Sequence, residues 1–415
     1  MKLCIVTIVS GNYLAYATVL GQSIRAYAPE AEFRVLVVDR PSKHIDLAAK
    51  KSGLQVTYAE ELGIPDIERI AYKYDIVELN TALKPTFLKR AFVDGFTHVI
   101  YLDPDIQLFA PITPILESME SANITLTPHA LHPVLDGMRP SDIDFLRAGT
   151  FNLGFIALRN GEQTSEMLDW WESRCLDFGF NDTTFGTFVD QKWVDLLPCY
   201  FESVKVLRHP GCNAANWNLH ERKIYWAGDH YTANGEQLVF FHFSGIVPDK
   251  PEELSKNQTR HKLTHGTPLA DIVARYCQSL LDAGHATLSK IPYSFGRLDD
   301  GTPITPIMRR ALCCISDIEL SPFSHSSKMQ RRFMDHHITP HSKATVRTGN
   351  VTTYNFDQND PRVRVVNAIV RITARVIGVE RLIQLLRYTS LLTREAHLPA
   401  VLMNEPLKLK HISRR

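Results

Sequence analysis

The chain has 415 residues, of which 44% are hydrophobic and 22% are charged, a composition typical of a globular protein. Lys and Arg number 46 against 45 Asp and Glu, so the net charge of +1 gives no sign of a nucleic-acid partner. The length accommodates one large domain with an appendage, or two domains.

Cysteine usage and hydropathy indicate the compartment in which the protein is expected and its relation to membranes. The seven cysteines are scattered and include no CxxC pair, which predicts reduced thiols and a cytoplasmic protein. The apolar start is interrupted by Ser10 and Asn12, with no small-residue cleavage site, so it predicts a buried strand rather than a signal peptide. No uninterrupted apolar stretch reaches the roughly 20 residues that span a bilayer. The sequence therefore predicts a protein that is not integral to a membrane.

Apolar strands and amphipathic helices alternate along the first half of the chain. Strands are predicted at residues 3–9, 33–38, 55–58, 98–102, 124–127 and 152–158, and helical segments at 13–27, 45–51, 66–79 and 84–93. This alternation indicates an α/β domain whose mostly parallel central sheet is flanked by helices. A last apolar strand at 238–243 is expected to close the sheet. In such sheets ligands lie at the carboxyl ends of the strands.

The composition and pattern of the sequence change beyond about residue 251, where basic residues become frequent and strand-like alternation disappears. A poorly patterned region at 286–360 precedes a helical pattern at 362–392. We therefore expect a catalytic domain at 1–260 and a mainly helical region at 261–415. Arg364, Arg371 and Arg375 fall on one helical face, which indicates either peripheral contact with an anionic membrane surface or a docked helix with its arginines in solvent. The end of the chain, 407–415, is also basic.

Two carboxylates follow the strand predicted at 98–102, within "THVIYLDPDIQLF". Asp-Pro pairs are common in turns, so Asp103 and Asp105 have an ordinary structural interpretation. Yet two adjacent carboxylates at the end of a buried strand are costly without a cation. Oxygen ligands suit Mg²⁺ or Mn²⁺, and a nucleotide diphosphate would complete the coordination. Turn and metal site both remain open on this pattern.

A histidine ends the last predicted strand in "FFHFSG". A lone histidine on an apolar strand is more often a core residue than a ligand. His242, however, is followed by Gly245 and then by the basic residues Lys250, Lys256 and Arg260, an arrangement typical of a loop that faces phosphate. An imidazole beside two carboxylates is a ligand set that Mn²⁺ accepts.

Three further segments carry polar residues in otherwise apolar surroundings. Asn152 and Gly154 interrupt a buried strand, which indicates either a bulge or a close approach by a ligand. Asp190 and Gln191 open a helical segment, where an acidic residue is an ordinary N-cap. The segment 209–222 combines three Asn with a Trp and two His, as in a sugar-binding loop, although surface loops are also rich in Asn.

The order of these motifs is more specific than any one of them. "LKP…LKRAF" precedes "YLDPD", and "FNLGF", "DQ", "NWNLHER" and "FFHFSG…LSKNQTR" follow in turn. Over about residues 1–260 this order resembles the GT-A, Rossmann-like fold of nucleotide-sugar glycosyltransferases. It is most similar to the retaining glycosyltransferase family 8 and related bacterial polysaccharide-assembly enzymes.

The resemblance implies a role for each matching residue. Asp103, Asp105 and His242 would hold Mn²⁺ or Mg²⁺ on the donor diphosphate, and Asp190 and Gln191 would be catalytic residues that flank the anomeric carbon. The donor itself would contact Val6, Thr7, Ser10, Lys84, Asp103, Asn152, Gly154, Gly245, Lys250, Lys256 and Arg260, with Lys84 also counted as catalytic. The first-strand loop departs from the expected pattern, because it offers only Ser10 and Asn12 to a nucleoside.

The resemblance implies an enzyme that moves a hexose-type sugar from a nucleoside-diphosphate donor, expected to be UDP, with retention of configuration. The acceptor would be a glycan, a lipid-linked glycan or a protein. One alternative is a nucleotidyltransferase that makes the sugar nucleotide, but "SGNYLAY" lacks the basic Gly-rich loop of such enzymes. Another is a non-catalytic sugar-nucleotide or glycan-binding module, against which the presence of both Asp residues and His242 argues.

Overall fold

The computed structural model describes residues 1–315, 321–340, 361–392 and 397–404. The strands are β1 (Leu3–Val9), β2 (Glu32–Val37), β3 (Val56–Tyr58), β4 (His98–Leu102), β5 (Ile106–Leu108), β6 (Ile124–Pro128), β7 (Phe151–Arg159), β8 (Val204–Val206), β9 (Ala214–Ala215), β10 (Ile224–Trp226), β11 (Tyr231–Ala233), β12 (Glu236–Gln237) and β13 (Phe240–His242).

Helices alternate with these strands along the chain and continue to the end of the described residues. They are α1 (Leu14–Tyr27), α2 (Lys43–Lys51), α3 (Ile67–Lys73), α4 (Ile76–Ala82), α5 (Lys84–Val93), α6 (Thr113–Ser121), α7 (Asp142–Ala148), α8 (Glu162–Phe178), α9 (Gln191–Val194), α10 (Leu197–Tyr200), α11 (Pro268–Asp282), α12 (His285–Leu288), α13 (Pro306–Ala311), α14 (Lys328–Asp335), α15 (Pro361–Ile377), α16 (Val379–Leu392) and α17 (Leu398–Met403).

The central sheet has seven strands in the order β3-β2-β1-β4-β7-β6-β8. All neighbouring pairs are parallel except those made by β7, which runs antiparallel to both β4 and β6. The predicted α/β class and the mostly parallel central sheet are therefore confirmed. Every residue of β1 is buried, as expected for a strand that is covered on both faces.

The apolar core packs against the middle strands of this sheet. One cluster joins Ile5 of β1 and Ile100 of β4 to Ile24 of α1 and Phe155 of β7. A second cluster places α2 against β1 and β2 through Ile45. These contacts hold the carboxyl ends of β1, β2 and β4 beside one another, at the edge where a ligand is expected.

The strand predicted at 238–243 was expected to close the central sheet, and this expectation is wrong. Only Phe240–His242 is a strand, and β13 pairs with β5 and β9 in a separate three-stranded sheet. The pairing partner β5 follows the Asp103-Pro104-Asp105 turn directly. The turn thus connects the central sheet to the small one. The pairing of β13 with β5 brings β13 next to this turn.

The helix expected at 66–79 is interrupted. Tyr74 is extended, and Asp75 caps the start of α4 by accepting hydrogen bonds from the amides of Val77 (2.8 Å) and Glu78 (2.9 Å). By contrast, α5 spans the residues expected, 84–93, with Pro85 in its first turn.

The described chain forms two compact units, the first of which is Met1–Phe295. This unit includes α11, whose residues Tyr276 and Cys277 share an apolar cluster with Tyr16 of α1 and Phe243. The compact unit thus continues past residue 260, and the functional division predicted there remains a prediction.

The second unit begins at Gly296, and its described residues are mainly helical, as expected. The helix expected at 362–392 is divided at Gly378, whose φ of 80° ends α15 before α16 begins. Within the described ranges, the helices fall short of the length and apolar character needed to cross a membrane. The basic segment 407–415 lies outside the described residues.

Candidate functional site

Asp103 and Asp105 occupy the turn between β4 and β5, at the carboxyl end of the central sheet. The turn is closed by a hydrogen bond from the amide of Ile106 to the carbonyl of Asp103, at 3.1 Å. The Tyr101 hydroxyl donates to Oδ1 of Asp103 at 2.6 Å. Burial, and next the charge of Asp103, raises the pKa of Tyr101 well above its usual value, which keeps this hydroxyl protonated as a donor. Asp103 is therefore oriented from its own strand.

His242 reaches the two carboxylates through the pairing of β13 with β5. His242 lies opposite Ile106 in the register, and the amide of Phe243 donates to the carbonyl of Asp105 at 2.8 Å. As a result, Nε2 of His242 lies 3.0 Å from Oδ1 of Asp105 and 3.7 Å from Oδ2 of Asp103. The proximity of these three side chains, expected from the sequence, is present in the structure.

The donor set fits a divalent cation. One ligand atom from each of Asp103, Asp105 and His242 lies within 4.8 Å of the others, so a single ion could contact all three. Two carboxylates and one imidazole are an oxygen-rich set that suits Mn²⁺ or Mg²⁺. Burial lowers the pKa of His242, but the neighbouring carboxylates of Asp105 and Asp103 outweigh it and the pKa lies above its usual value. The raised pKa of His242 reflects an excess of negative charge around the ring, which a cation would neutralise.

The imidazole of His242 is enclosed by two neighbours. Trp217 packs edge-on against it, with ring centroids 5.0 Å apart. On another side lies Gly154, where an added Cβ would stand only 2.3 Å from Cε1 of the ring. The sequence left open a bulge or a close approach by a ligand. In the structure the register between β6 and β7 shifts between Leu126 and Pro128, and the group that approaches Gly154 closely is the His242 side chain. Contact between Gly154 and a donor sugar remains a prediction.

Lys84 and Asp190 form a buried ion pair beside this cluster. Nζ of Lys84 lies 2.6 Å from Oδ2 of Asp190 and 4.0 Å from Oδ1 of Asp103. The ammonium also donates to the carbonyl of Leu153 at 2.7 Å and lies 4.1 Å from the centroid of the Tyr101 ring. Burial raises the pKa of Asp190 even though Lys84 draws it down. Asp190 was considered an N-cap, but its side chain makes no capping bond and turns to Lys84 instead.

Asn152 and Gln191 bind the backbone around β7 rather than opening into solvent. Oε1 of Gln191 accepts from the amide of Leu153, and its Nε2 donates to the carbonyl of Ala148, each at 3.0 Å. Oδ1 of Asn152 accepts from the amide of Gly154 at 3.2 Å. Both side chains are buried. They therefore fix the β7 backbone next to Lys84 and His242.

The end of β1 contributes Val6, Thr7 and Ser10, all of them buried. The sequence places Asp39 at the ligand-binding end of a strand but assigns it no role; in the structure its carboxylate organises the loop after β1. Oδ2 of Asp39 accepts from the amide of Gly11 at 2.7 Å, and Oδ1 accepts from the amide and the hydroxyl of Ser294, each at 2.7 Å. The available signal was a lone acid at the carboxyl end of β2, beside β1 in the sheet.

The basic residues of the loop after His242 differ in the contacts that they make. Gly245 has a φ of 75°, and an added Cβ would lie 2.5 Å from the Asn257 side chain, so glycine is required there. Lys250 is exposed and pairs with Glu253 at 2.9 Å. Lys256 is also exposed, and its amide donates to the carbonyl of Gly245 at 3.1 Å.

Arg260 is bound to the segment between β6 and β7. Its guanidinium donates to both carboxylate oxygens of Asp136, at 2.5 and 3.1 Å, and to the carbonyls of Met138 and Pro140. In this arrangement Arg260 fixes that segment, and its predicted contact with the donor diphosphate remains a prediction.

The Asn-rich segment at 209–222 is not an exposed loop, because Asn213, Asn216 and Asn218 are all buried. Asn218 accepts from the amide of Ala215 at 2.9 Å and donates to the carbonyls of His129 and Asn213. These bonds hold Trp217 against His242. The segment therefore shapes the surroundings of the Asp103, Asp105 and His242 cluster, a role that its turn-rich composition does not reveal.

Comparison with known proteins adds the following. No protein-family model matches the chain. Two uncharacterized proteins of Bacillus subtilis, YfnF and YfnD, are each 26% identical to it, over 244 and 247 residues. Each match covers 58% of this chain, and 80% of YfnF or 77% of YfnD.

Among solved structures, similar chains include an active-site mutant of LgtC (16% identity, 66% of this chain and 95% of that one, TM-score 0.40). They also include the glycosyltransferase GlyE of Streptococcus pneumoniae (14%, 70% and 66%, TM-score 0.40). A third is mouse xyloside xylosyltransferase 1 (14%, 58% and 97%, TM-score 0.36).

Proposed function

We propose that this chain is a metal-dependent glycosyltransferase of the GT-A type. It would transfer a hexose-type sugar from a nucleoside-diphosphate donor, expected to be UDP, to a glycan, lipid-linked glycan or protein acceptor. The observation that carries the proposal is the meeting of Asp103, Asp105 and His242 at the carboxyl end of β4, with the Lys84–Asp190 pair beside it. The order of the motifs along the sequence supports the same reading.

The two acids and the imidazole would hold Mn²⁺ or Mg²⁺. When bound, the cation neutralises the negative charge that develops on the departing diphosphate. Lys84 adds a positive charge 4.0 Å from Asp103. Its ammonium group is already buried away from water in the free protein. A charge in place before the reaction needs no reorganisation as the transition state forms, which is the requirement for electrostatic catalysis.

The buried, paired position of Asp190 favours a mechanism in which the acceptor attacks the sugar from the same face as the departing diphosphate. An enzyme nucleophile must have a free carboxylate directed at the anomeric carbon, whereas Asp190 is 2% exposed and engaged by Lys84. We therefore assign retention to attack by the acceptor hydroxyl on the side from which the diphosphate leaves. The bond between the anomeric carbon and the phosphate oxygen breaks, the new glycosidic bond forms, and the acceptor proton passes to the departing oxygen.

Gln191 and Asn152 would act as positioning residues in this reaction. Their amide groups bind the backbone at Leu153 and Gly154, beside the strand end where the sugar is expected. They set the position of the Leu153 carbonyl, which in turn accepts a hydrogen bond from Lys84.

The test is a panel of nucleotide sugars, with and without Mn²⁺, scored by thermal unfolding and by release of the nucleoside diphosphate. We expect at least one donor to stabilise the protein only with the metal, by about 2.7 kcal/mol at a hundred times its dissociation constant. Asp105→Asn should abolish this effect. Asp169→Asn, which changes an exposed acid that pairs with Lys89, is the matched control. Metal-independent stabilisation, or an unaltered response of Asp105→Asn, would overturn the proposal.

A further inference from the structure

An exposed apolar stripe runs along α15. Val365, Ile369, Ile372 and Val376 recur at intervals of four, three and four residues, so they lie on one face of the helix. Each is between 57% and 77% exposed. The sequence left open whether this helix docks through its apolar face, and in the structure that face is uncovered. Contiguous exposed apolar surface of this kind marks an interaction site.

α16 follows α15 directly after Gly378 and carries a second row of exposed apolar residues. Val379, Ile383 and Leu386 are spaced by four and three residues and are exposed, whereas Leu382 is buried. Burial of Leu382 shows that α16 has an inner face distinct from the exposed one. The two consecutive helices, called here the α15–α16 segment, therefore both expose apolar side chains.

Positive charge accompanies the stripe. Arg364, Arg371 and Arg375 each precede a stripe residue by one position, which places them about 100° around the helix from it. All three are exposed. Segment 361–392 contains six arginines and one acid, Glu380, so its net charge is six minus one, or +5. An apolar face bordered by arginines is typical of helices that lie in the plane of a membrane interface.

We propose that the α15–α16 segment binds the surface of an anionic lipid bilayer. The apolar stripe enters the boundary between headgroups and acyl chains, and the arginines bind lipid phosphates through their guanidinium groups. Charge favours this occupant over a second copy of the chain, because pairing two copies of the segment would bring two charges of +5 together. It also favours a lipid surface over a neutral apolar partner, which would leave the arginines without counter-charges.

This inference is independent of the proposed catalytic activity and is tested without it. The full chain is mixed with vesicles of phosphatidylcholine alone or of phosphatidylcholine with phosphatidylglycerol, and the bound fraction is measured by flotation. We expect binding to the vesicles that contain phosphatidylglycerol, weakening as salt rises because the charges are exposed. Equal binding to both vesicle types, or none to either, would overturn the proposal.

Two paired variants separate charge from apolar contact. A basic side chain near an anionic surface contributes about fivefold in affinity, so Arg371→Gln/Arg375→Gln should lower the partition coefficient by about 25-fold. Ile369→Gln/Ile372→Gln should also weaken binding, while leaving its salt dependence in place. The matched controls are Lys50→Gln/Lys51→Gln, and Leu47→Gln/Val93→Gln, which change exposed residues of α2 and α5.

Circular dichroism and size-exclusion chromatography accompany each variant. Unchanged helix content shows that lost binding reflects the altered side chains rather than unfolding of the α15–α16 segment. If the Ile369→Gln/Ile372→Gln protein binds vesicles as the unaltered protein does, but elutes as a monomer where the unaltered protein elutes as a dimer, the stripe is a self-association surface and the lipid proposal fails.

Discussion

Nζ of Lys84 lies 2.6 Å from Oδ2 of Asp190, and both side chains are 2% exposed. The pair joins the start of α5, which precedes Asp103 in the sequence, to the residue before α9, which lies between Asp105 and His242. A buried ion pair contributes little over an apolar pair of the same volume, but removal of one partner leaves an uncompensated charge.

Lys84→Met should therefore destabilise the protein by about 3–5 kcal/mol, because the Asp190 carboxylate stays buried without its partner. The double variant Lys84→Met/Asp190→Leu should recover much of this loss. Urea unfolding of the unaltered protein, both single variants and the double variant gives the coupling energy. A double variant as unstable as the sum of the single ones would show that the two side chains do not interact.

The contact of Gly154 with His242 gives a second prediction. Gly154→Ala would place Cβ 2.3 Å from Cε1 of the imidazole, so either the ring or β7 must move. We expect a loss of about 1–3 kcal/mol from overpacking, together with weaker Mn²⁺ binding in calorimetric titration.

The matching control is Gly154→Ala/His242→Ala, in which the ring is absent. It should regain stability relative to Gly154→Ala while still failing to bind Mn²⁺. If Gly154→Ala alone binds Mn²⁺ and unfolds as the unaltered protein does, the close approach of the ring is not a constraint.

Much of the first-half fold follows from local pattern. Continuous apolar runs predicted β1 and β4, and the helical spacing after Lys84 predicted α5 with its bounds. The membership of β13 in a separate sheet could not be predicted, because its pairing with β5 joins segments far apart in the sequence. The break between α3 and α4 was missed although Asp75 and Glu78 form a recognisable capping box.

The candidate metal site was accessible to sequence reasoning because charged side chains at the ends of apolar strands conflict with their surroundings. Asp103, Asp105 and His242 all carry that signal. The pairing of Lys84 with Asp190, and of Arg260 with Asp136, carries none, since each partner is ordinary in its own local context. Such contacts follow from the packing of the loops, and composition does not report them.

Gln191 gives a third prediction because its two amide ends bind different segments. Gln191→Met removes the acceptor for the Leu153 amide, whereas Gln191→Glu keeps it and sets a carboxylate oxygen against the Ala148 carbonyl. Each variant should lose about 1–3 kcal/mol, but only Gln191→Met should speed hydrogen exchange at the Leu153 amide. Equal exchange at Leu153 in the unaltered protein and in Gln191→Met would contradict the positioning role.

His129 gives the final prediction, a dependence of stability on pH. Its ring stacks on Phe145 at 5.3 Å and meets Trp217 edge-on at 5.4 Å, and Nε2 lies 3.4 Å from Nδ2 of Asn152. Burial in this apolar setting lowers the pKa of His129 from 6.5 to about 4. Between those values the unfolded chain binds a proton that the folded protein does not, so stability falls as pH drops from 6.5 towards 4.

A shift of that size corresponds to roughly 3 kcal/mol across the window. The free energy of unfolding by urea, measured at several pH values between the two pKa limits, should therefore have a shallower slope in His129→Phe, which keeps an aromatic ring in the stack. Titration of the carboxylates is common to both proteins and cancels in the comparison. Identical slopes would show that His129 takes up a proton in the folded protein as readily as in the unfolded chain, so that its place between Phe145 and Trp217 does not exclude the proton.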